Sequence, residues 1–308
     1  HNYMHADTQS SSAIDLIILG KEFAYDKGVM PNSQLFLIGY SQGGHATMGM
    51  VKEIQENYND ELQVTASVPM AGPYSMSGVM RDLMLSEMPY PNPGYLPYVL
   101  FSYQNIYNLF DDVTEVLIPP YNEFLFGMYS GSFSMYSINA TLPSNPIEIF
   151  KDDFYEEFVN DPNHPLNLAL ADNDVYDFIP ESPMKLLHCN GDLSIPIENS
   201  EVAYNHFIES GATDIYFEDG GNLDHAPCAQ IAIIGSKLWI DTMADICVPQ
   251  SLNLDGISEL NNKKLIGTFD LLGRYIKVSK STNQTVIYLY DDGSFEKRYP
   301  FFETEIQN

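Results

Sequence analysis

The sequence predicts an α/β fold in which a mostly parallel sheet carries helices on both faces. Helical and strand patterns alternate over residues 8–70 and again over residues 184–245. Strands separated by helices favour parallel pairing, because the chain has to cross back over the sheet between them. Between these stretches the alternation of helical and strand patterns is interrupted, and from residue 249 the sequence contains short β-rich runs. We therefore expect a large α/β domain with an insertion, followed by a small β-rich domain.

The composition limits the classes of partner. The 308 residues include 42 acidic and 14 basic side chains, which gives a formal net charge of -28. This charge repels nucleic acid and anionic membrane surfaces, so we expect no nucleic-acid partner. The sequence has no apolar run of about 20 residues, and no transmembrane segment is predicted. Such an acidic composition is typical of secreted or salt-exposed proteins, and it agrees equally well with an acidic surface that only keeps the protein soluble.

The α/β pattern consists of two similar halves. The first comprises a helix over 8–27, a strand ending at 40, a helix over 42–57 and an alternating strand over 63–69. Asp7, Thr8 or Ser10 would cap its first helix. The second half comprises strands at 184–188 and 214–217 and helices at 197–209 and 227–245, the last with an apolar face of Ile231, Ile234, Leu238 and Trp239. All of this lies in a predicted domain of residues 1–247.

Residues 74–183 are predicted to form an inserted, mainly helical cap. They are dense in Tyr, Phe, Met and Pro, which breaks the regular alternation. Aromatic and Met side chains offer adaptable apolar contact, which suits an acyl or aryl group above an active site. The same side chains would also pack the core of the cap itself. No single cap residue is therefore assigned to a ligand.

The C-terminal part has the pattern of a small β-rich domain. Its β-rich runs lie at residues 264–269, 285–290 and 295–299, and Asp292-Gly293 between the last two is a hairpin turn signal. We place a linker at residues 248–256 and the domain at residues 257–308.

The cysteines allow one intrachain disulfide. Cys228 and Cys247 would lie at opposite ends of one helix, roughly 28 Å apart at 1.5 Å per residue, which is beyond disulfide reach. Cys189 with Cys228 is the pair we consider. Three cysteines are too few for a disulfide scaffold, and their number does not settle the compartment. Because the chain begins with His1, we expect it to be the C-terminal piece of a longer precursor.

The motif Gly39-Tyr-Ser-Gln-Gly43 predicts a nucleophile elbow, a sharp turn between a strand and a helix. Gly39 and Gly43 would leave room where strand and helix approach closely, so that Ser41 takes a strained backbone conformation with its hydroxyl exposed. The N-terminus of the helix would place backbone N–H groups, that of Gln42 first, where an oxyanion develops during acyl transfer. The alternative is a Gly-rich loop with an exposed serine.

A serine nucleophile needs a base for its proton and an acid that orients the base. Asp192 follows one later strand and His225 follows the next. Because the carboxyl ends of parallel strands share one edge of a sheet, these side chains would meet Ser41 there. The chain order Ser, Asp, His is the order of hydrolases with this type of turn.

Other titratable residues fit these roles less well. His45 lies one turn into the elbow helix and would point sideways, and His188 lies in an apolar strand as a core residue. The remaining candidates are His164 in a Pro-rich turn, His206 in a helix, His1 and His5, which stay open, Asp224 directly before His225, and Asp214 at the wrong end of its strand.

Several motifs over residues 1–247 resemble the α/β-hydrolase superfamily, and in particular bacterial secreted lipase- or esterase-like members with a large helical cap. The motifs are His1-Asn-Tyr-Met-His-Ala-Asp-Thr-Gln, Gly39-Tyr-Ser-Gln-Gly-Gly-His45, Asn160-Asp-Pro-Asn-His-Pro-Leu, Asn173-Asp-Val-Tyr-Asp, His188-Cys-Asn-Gly-Asp192 and Leu223-Asp-His225. The resemblance implies that Ser41 is the nucleophile, Asp192 the acid and His225 the base, with no organic cofactor. No loop has calcium-ligand spacing, and no metal is assigned.

The last fifty-odd residues resemble the C-terminal sorting domain of the Bacteroidetes type IX secretion system. The motifs are Asp270-Leu-Leu-Gly-Arg274 and Tyr290-Asp-Asp-Gly-Ser-Phe-Glu-Lys-Arg298. This resemblance implies a secreted or cell-surface protein that uses the secretion machinery as a partner.

The chain departs from the hydrolase family at its start. In that fold the first strands, including the one that precedes the second oxyanion donor, come before the helix with which this chain begins. The catalytic domain is therefore expected to be N-terminally incomplete. Losing one oxyanion donor costs about 100- to 1000-fold in rate, so we expect this segment alone to be poorly active or unstable.

The leading hypothesis is a serine hydrolase that cleaves small-molecule or lipid carboxylic esters through an acyl-enzyme. A serine peptidase of the same fold, of prolyl or dipeptidyl type, uses the same chemistry and stays open. A third hypothesis is a non-catalytic cell-surface binding module on the hydrolase fold, against which the presence of Ser41, Asp192 and His225 argues.

Overall fold

A computed structural model describes residues 2–86, 88–245, 264–269, 275–277, 286–291 and 295–298. The chain divides into two units, His1–Asp245 and Ile246–Asn308. Within the described residues, no helix has the length and apolar character needed to cross a membrane.

The first unit contains a four-stranded, entirely parallel sheet. Its strands are β1 (Phe36–Tyr40), β2 (Ala66–Met70), β3 (Met184–His188) and β4 (Ile215–Asp219), and they pair in the order β1-β2-β3-β4. The predicted α/β class with a parallel sheet is confirmed. Since all four strands run in one direction, the loops after them lie at one edge of the sheet.

Helices cover both faces of this sheet. They are α1 (Ala6–Asp26), α2 (Gln42–Asn57), α9 (Glu198–Glu209) and α10 (His225–Asp241). On one face, strand residues such as Leu37 and Leu186 share a core with Met48 of α2 and Phe207 of α9. On the other face, the core is formed by Val68, Met70, Leu187, Ala232 and Ile240, the last two from α10.

Several predicted element boundaries were wrong by a few residues. The first helix begins at Ala6, not at residue 8, because His5 caps it: its backbone is extended and its Nδ1 accepts the N–H of Thr8 at 3.3 Å. Strand β2 lies at 66–70 instead of 63–69, and all of its side chains are buried instead of alternating. Burial on both faces, which is typical of a central parallel strand, explains this difference.

Three of the four residues of the apolar face predicted for the last helix are exposed. Ile231, Ile234 and Leu238 are 50%, 53% and 64% exposed. The helix packs on the sheet through Ala232, Ser236 and Ile240, and Trp239 is partly buried against the same core. The small side chains of Ala232 and Ser236 allow a close approach to the strands, whereas Ile231, Ile234 and Leu238 face outward.

A mainly helical segment is inserted between β2 and β3. It comprises a π-helix (Met76–Met80), α3 (Arg81–Leu85), α4 (Tyr95–Tyr107), a 3₁₀ turn (Val113–Glu115), α5 (Tyr121–Met128), α6 (Met135–Asn139), a second 3₁₀ turn (Pro146–Ile149), α7 (Asp152–Asn160) and α8 (Pro165–Ala171). Its apolar core also includes Tyr3 and Met4 from the N-terminus and Ile195 from the loop after β3. The segment is therefore packed onto the α/β unit near the carboxyl edge of the sheet.

A disulfide joins Cys189, directly after β3, to Cys228 in the first turns of α10, with Cα atoms 6.1 Å apart. It ties the loop after β3 to the helix that begins at His225. Cys247 lies outside the described residues.

The second unit contains a three-stranded antiparallel sheet. Its strands are β5 (Leu265–Phe269), β6 (Val286–Tyr290) and β7 (Phe295–Arg298), in the order β5-β6-β7. The predicted turn at Asp292-Gly293, the linker at 248–256 and the motif at 270–274 lie outside the described residues.

Candidate active site

Ser41 lies in the sharp turn between β1 and α2. Its φ of 60° and ψ of −122° are strained for a residue with a side chain, and its N–H donates to the Met70 carbonyl at 2.9 Å. A Cβ at position 39 would lie 2.0 Å from the Gly43 carbonyl oxygen. Gly39 therefore permits the contact between strand and helix that holds the turn.

The second glycine of the motif does not have the predicted role. A Cβ at Gly43 would meet nothing within 4 Å, whereas one at Gly44 would lie 2.4 Å from the Met70 carbonyl oxygen. The expectation that Gly43 makes room was wrong. The close approach falls one residue later, where α2 passes the end of β2.

His225 is the first residue of α10, and its ring joins the two other predicted residues. Its Nε2 lies 2.8 Å from Ser41 Oγ, and its Nδ1 lies 2.5 Å from Asp192 Oδ2. The tautomer that satisfies both contacts has Nδ1–H donating to the carboxylate and Nε2 accepting the serine proton. The Tyr40 hydroxyl donates to the backbone carbonyl of His225 at 2.6 Å and helps to fix the residue.

Asp224, which directly precedes His225, has a structural contact. Its side chain accepts the N–H of His225 at 2.8 Å and the N–H of Leu193 at 3.1 Å. Asp224 is therefore the N-cap of α10. By binding Leu193 it also ties the start of this helix to the loop that carries Asp192.

The carboxylate of Asp192 is buried and fully hydrogen-bonded. Its Oδ1 accepts the N–H groups of Ser194 and Ile195 at 2.9 and 2.8 Å, while Oδ2 faces His225. Burial by itself would raise the pKa of Asp192, but hydrogen bonds from His188, His225 and the Ile195 N–H outweigh it and hold the pKa well below its ordinary value. The side chain is thus kept as a carboxylate, in the form needed to stabilise an imidazolium.

His188 is a buried residue of β3, as predicted, but it also touches the candidate acid. Its Nδ1 lies 2.8 Å from Ser200 Oγ, and its Nε2 lies 2.9 Å from the Ile195 carbonyl and 3.4 Å from Asp192 Oδ2. Because Nε2 faces two acceptors, it carries the proton. In the sequence, the signal for this contact is the separation of four residues between His188 and Asp192.

The other described histidines form contacts that support the fold. His45 is fully buried, its Nε2 donates to the Asn173 carbonyl at 3.0 Å, and burial lowers its pKa to about 4. His5 caps α1, and the ring nitrogen of His164 accepts the N–H of Leu166 in α8. His206 lies in α9 against Tyr176.

Gln42 is the first residue of α2 and follows Ser41 directly. Its backbone N–H therefore belongs to the first turn of a helix, the end at which the helix dipole favours negative charge. An anion that forms at a carbon bonded to Ser41 Oγ would lie beside this end of the helix.

An apolar pocket lies between the inserted segment and the loop after β3. Among its lining residues are Tyr3, Met76, Met80, Met84, Tyr90 and Ile195. The Tyr90 hydroxyl donates to the Ser194 carbonyl, so it does not offer its proton to the pocket. Ile195 connects the pocket with the candidate site, because its N–H donates to Asp192 Oδ1, whereas Ser41, Asp192 and His225 themselves do not line the pocket. In the described part of the chain, no group of three or more His, Cys, Asp or Glu side chains is arranged to hold a metal ion.

The parallel sheet with helices on both faces and the sharp turn at Ser41 define an α/β protein. No protein-family model matches the chain, and no curated protein matches its sequence. Among solved structures, it is similar to a provisionally assigned hydrolase from Legionella pneumophila, with a TM-score of 0.73 and 27% identity over 79% of this chain and 65% of that one.

Two further solved structures share the fold. The esterase LipA from Xanthomonas oryzae, described as degrading the rice cell wall, has a TM-score of 0.71 at 23% identity, over 79% of this chain and 68% of LipA. Lipase A from Candida antarctica has a TM-score of 0.65 at 17% identity, over 80% of this chain and 57% of the lipase. The chain thus spans about two thirds or less of these neighbours. It has the α/β-hydrolase fold, and its structural neighbours are hydrolases, esterases and lipases.

Proposed function

We propose that this protein is a serine hydrolase that cleaves carboxylic esters of small molecules or lipids. The observation that carries the proposal is the continuous chain of contacts from Ser41 Oγ through the ring of His225 to Asp192, at 2.8 and 2.5 Å. A serine hydroxyl next to a neutral imidazole, which is itself held by a buried carboxylate, is the arrangement that activates serine for acyl transfer.

In the proposed first step, Ser41 Oγ attacks the ester carbonyl carbon while His225 Nε2 takes the hydroxyl proton. The carbonyl oxygen becomes an oxyanion, which the N–H of Gln42 at the helix N-terminus stabilises. Asp192 stabilises the imidazolium through Nδ1–H. The His225 imidazolium then gives its proton to the oxygen of the leaving alcohol, while the bond between that oxygen and the carbonyl carbon breaks. The alcohol departs, and the acyl group stays bound to Ser41 Oγ as an acyl-enzyme. Water attacks this intermediate with His225 again as the base, and the acid is released.

Two observations favour an ester over a peptide as the substrate. The pocket that Ile195 lines is formed almost wholly by apolar groups, which suits an acyl chain better than a peptide backbone with its polar groups. Two of the similar solved structures are an esterase and a lipase. The second oxyanion donor, predicted to come from a segment before His1, stays a prediction.

The proposal is tested on the complete native precursor, with p-nitrophenyl esters of two to sixteen carbons beside prolyl and alanyl p-nitroanilides. Ester turnover that Ser41→Ala abolishes would support it, and Ser12→Ala, an exposed serine on α1, is the matched control that should keep full activity. Anilide turnover without ester turnover would establish a peptidase. If a folded protein neither turns over a substrate nor labels at Ser41 with a fluorophosphonate, the binding-module hypothesis replaces ours.

We also propose that the protein is secreted or attached to the cell surface, with its C-terminal β unit as a type IX sorting domain. The Cys189–Cys228 disulfide supports export, because disulfides persist in oxidising compartments. Deleting residues 257–308 in the native host should leave the protein inside the cell. Unchanged export of the shortened chain would contradict the sorting role.

A further inference from the structure

The loop that carries the candidate acid is held at three consecutive residues. Leu193 donates its N–H to Asp224 at the start of α10, and the Ile195 carbonyl accepts the ring N–H of His188. Both of these partners belong to the sheet and its helices. Ser194, the residue between them, is held by the inserted segment instead.

Ser194 accepts hydrogen bonds from two side chains that lie between α3 and α4. The Tyr90 hydroxyl donates to the Ser194 carbonyl at 2.9 Å, and Asn92 Nδ2 donates to Ser194 Oγ, also at 2.9 Å. Tyr90 and Asn92 precede Ser194 by 104 and 102 residues, so folding alone brings them to it. Ser194 is buried, and the loss of either donor would leave a polar atom there without its partner.

The peptide group between Ser194 and Ile195 connects Tyr90 with the candidate acid. Its carbonyl accepts the Tyr90 hydroxyl, and its N–H donates to Asp192 Oδ1 at 2.8 Å. A peptide group is planar and its C=O and N–H point in opposite directions, so a bond that fixes the carbonyl also fixes the direction of the N–H. The same bond polarises the peptide group and strengthens its N–H as a donor. Tyr90 therefore acts on the Asp192 carboxylate through one rigid group.

Tyr90 and Asn92 are themselves held by the rest of the inserted segment. The N–H of Tyr90 donates to the Ser144 carbonyl at 2.8 Å, and Asn92 Oδ1 accepts Asn139 Nδ2 at 3.4 Å. Burial raises the pKa of Tyr90 above its ordinary value, so the hydroxyl keeps its proton and stays a donor at neutral pH. The contacts join uncharged groups, and salt should therefore not weaken them.

We propose that Tyr90 and Asn92 are positioning residues for Asp192, so that the inserted segment orients the candidate acid as well as lining the pocket. The inference rests on the proposed ester hydrolysis and adds residues to it. When His225 takes up a proton, the carboxylate has to face the imidazolium already, because a carboxylate that must first turn stabilises the new charge less. By holding Ser194, the two residues keep Oδ1 on its backbone donors and Oδ2 directed at His225.

The test compares two tyrosines of the inserted segment that make the same kind of hydrogen bond. Tyr90→Phe removes one hydroxyl and keeps the ring that lines the pocket. Tyr103→Phe is the matched control, because the Tyr103 hydroxyl donates to the Met4 carbonyl, also at 2.9 Å and away from the acid loop. In the complete native precursor, Tyr90→Phe should lower kcat for p-nitrophenyl acetate about 3- to 10-fold with KM unchanged, whereas Tyr103→Phe should keep the kcat of the parent. Adding Asn92→Ala to Tyr90→Phe should increase the loss to about 10- to 100-fold.

Two further measurements separate orientation of the acid from general damage to the fold. In an Asp192→Asn background, Tyr90→Phe should change kcat by about two-fold or less, because its effect passes through the carboxylate. In proton NMR spectra recorded without substrate, the bond to Asp192 shifts the His225 Nδ1 proton far downfield. This resonance should move or broaden in Tyr90→Phe and stay in place in Tyr103→Phe.

Equal losses of kcat in Tyr90→Phe and Tyr103→Phe would overturn the proposal. So would a change in KM alone, since Tyr90 would then serve only the pocket, or an undiminished loss of kcat in the Asp192→Asn background. An unchanged Nδ1 resonance in Tyr90→Phe would overturn it as well. If the resonance responds as expected while the unmutated precursor hydrolyses no ester, Tyr90 positions Asp192 and the proposed function fails.

Discussion

His188 is the residue whose replacement tests the site most directly, because it touches the candidate acid and is too deeply buried to touch a substrate. In His188→Leu, Asp192 Oδ2 loses the N–H group at 3.4 Å, and the Ile195 carbonyl loses its donor at 2.9 Å. Ser200 Oγ loses its ring partner as well. A buried hydrogen-bonding group left without a partner costs about 1–3 kcal/mol, so the free energy of unfolding should fall by about 3 kcal/mol in total.

The effect on catalysis follows from the orientation of Asp192. With one donor fewer, the carboxylate holds the ring of His225 less firmly, and we expect kcat for a short ester to fall about 10- to 100-fold while KM stays unchanged. The pKa of Asp192 is depressed in the fold, so its contribution to stability is present above its unfolded pKa and is lost as the pH falls through the folded one. His188→Leu removes a cause of the depression, so the contribution of Asp192 to stability should be smaller and should be fully lost at a higher pH.

A second variant separates positioning from packing. His188→Gln keeps an N–H group that reaches toward Asp192 and should restore kcat to within a few-fold of the parent, whereas Leu fills the volume without a donor. The assay is the pH profile of kcat and KM with p-nitrophenyl acetate, beside urea unfolding. If His188→Leu and His188→Gln lose the same activity, or if KM alone changes, the reasoning is refuted.

Three further predictions concern the scaffold of the site. Burial depresses the pKa of His45 to about 4, so unfolding takes up a proton between that value and the unfolded value of about 6.5, and stability should fall by about 3 kcal/mol as the pH falls through this window. His45→Gln should flatten this dependence in urea unfolding at pH 7 and pH 4.5, and an unchanged slope would contradict the assignment. Replacing Cys189 and Cys228 by Ser opens a loop with a sequence separation of 39 and should lower the free energy of unfolding by about 4 kcal/mol. Unfolding midpoints equal to those of the disulfide form would disprove this contribution. Gly39→Ala puts a methyl group 2.0 Å from the Gly43 carbonyl oxygen, so it should yield insoluble protein or abolish activity, while Gly43→Ala should be tolerated.

Much of the central α/β pattern follows from local sequence. The predicted helix over 42–57 and strand over 184–188 have the bounds that the structure shows, because capping, apolar runs and glycines act on the nearest residues. The same local signals failed at β2, whose burial on both faces depends on neighbours far away in the chain. They also failed at α10, where large apolar residues face outward.

The residues of the candidate site also differ in how far local sequence predicts them. The nucleophile turn at Ser41 is predictable because a strained turn needs glycine beside it and a helix after it, and both are visible in the sequence. The choice of Asp192 and His225 as partners of Ser41 followed from one rule, namely that the carboxyl ends of parallel strands lie at the same edge of a sheet. The structure brings Asp192 and His225 to hydrogen-bond distance from each other, and it gives Asp224 the separate role of a helix cap.

The sequence by itself therefore determined the order of strands and helices, the strained serine and the positions at strand ends where polar side chains collect. Only the tertiary structure decided that His188 supports Asp192 and that Gly44, not Gly43, passes β2 closely. The physical reason is the distance along the chain over which each interaction acts. Backbone strain, capping and periodicity act over a few residues, whereas burial, a shared hydrogen-bond partner and ring packing depend on residues that folding alone brings together.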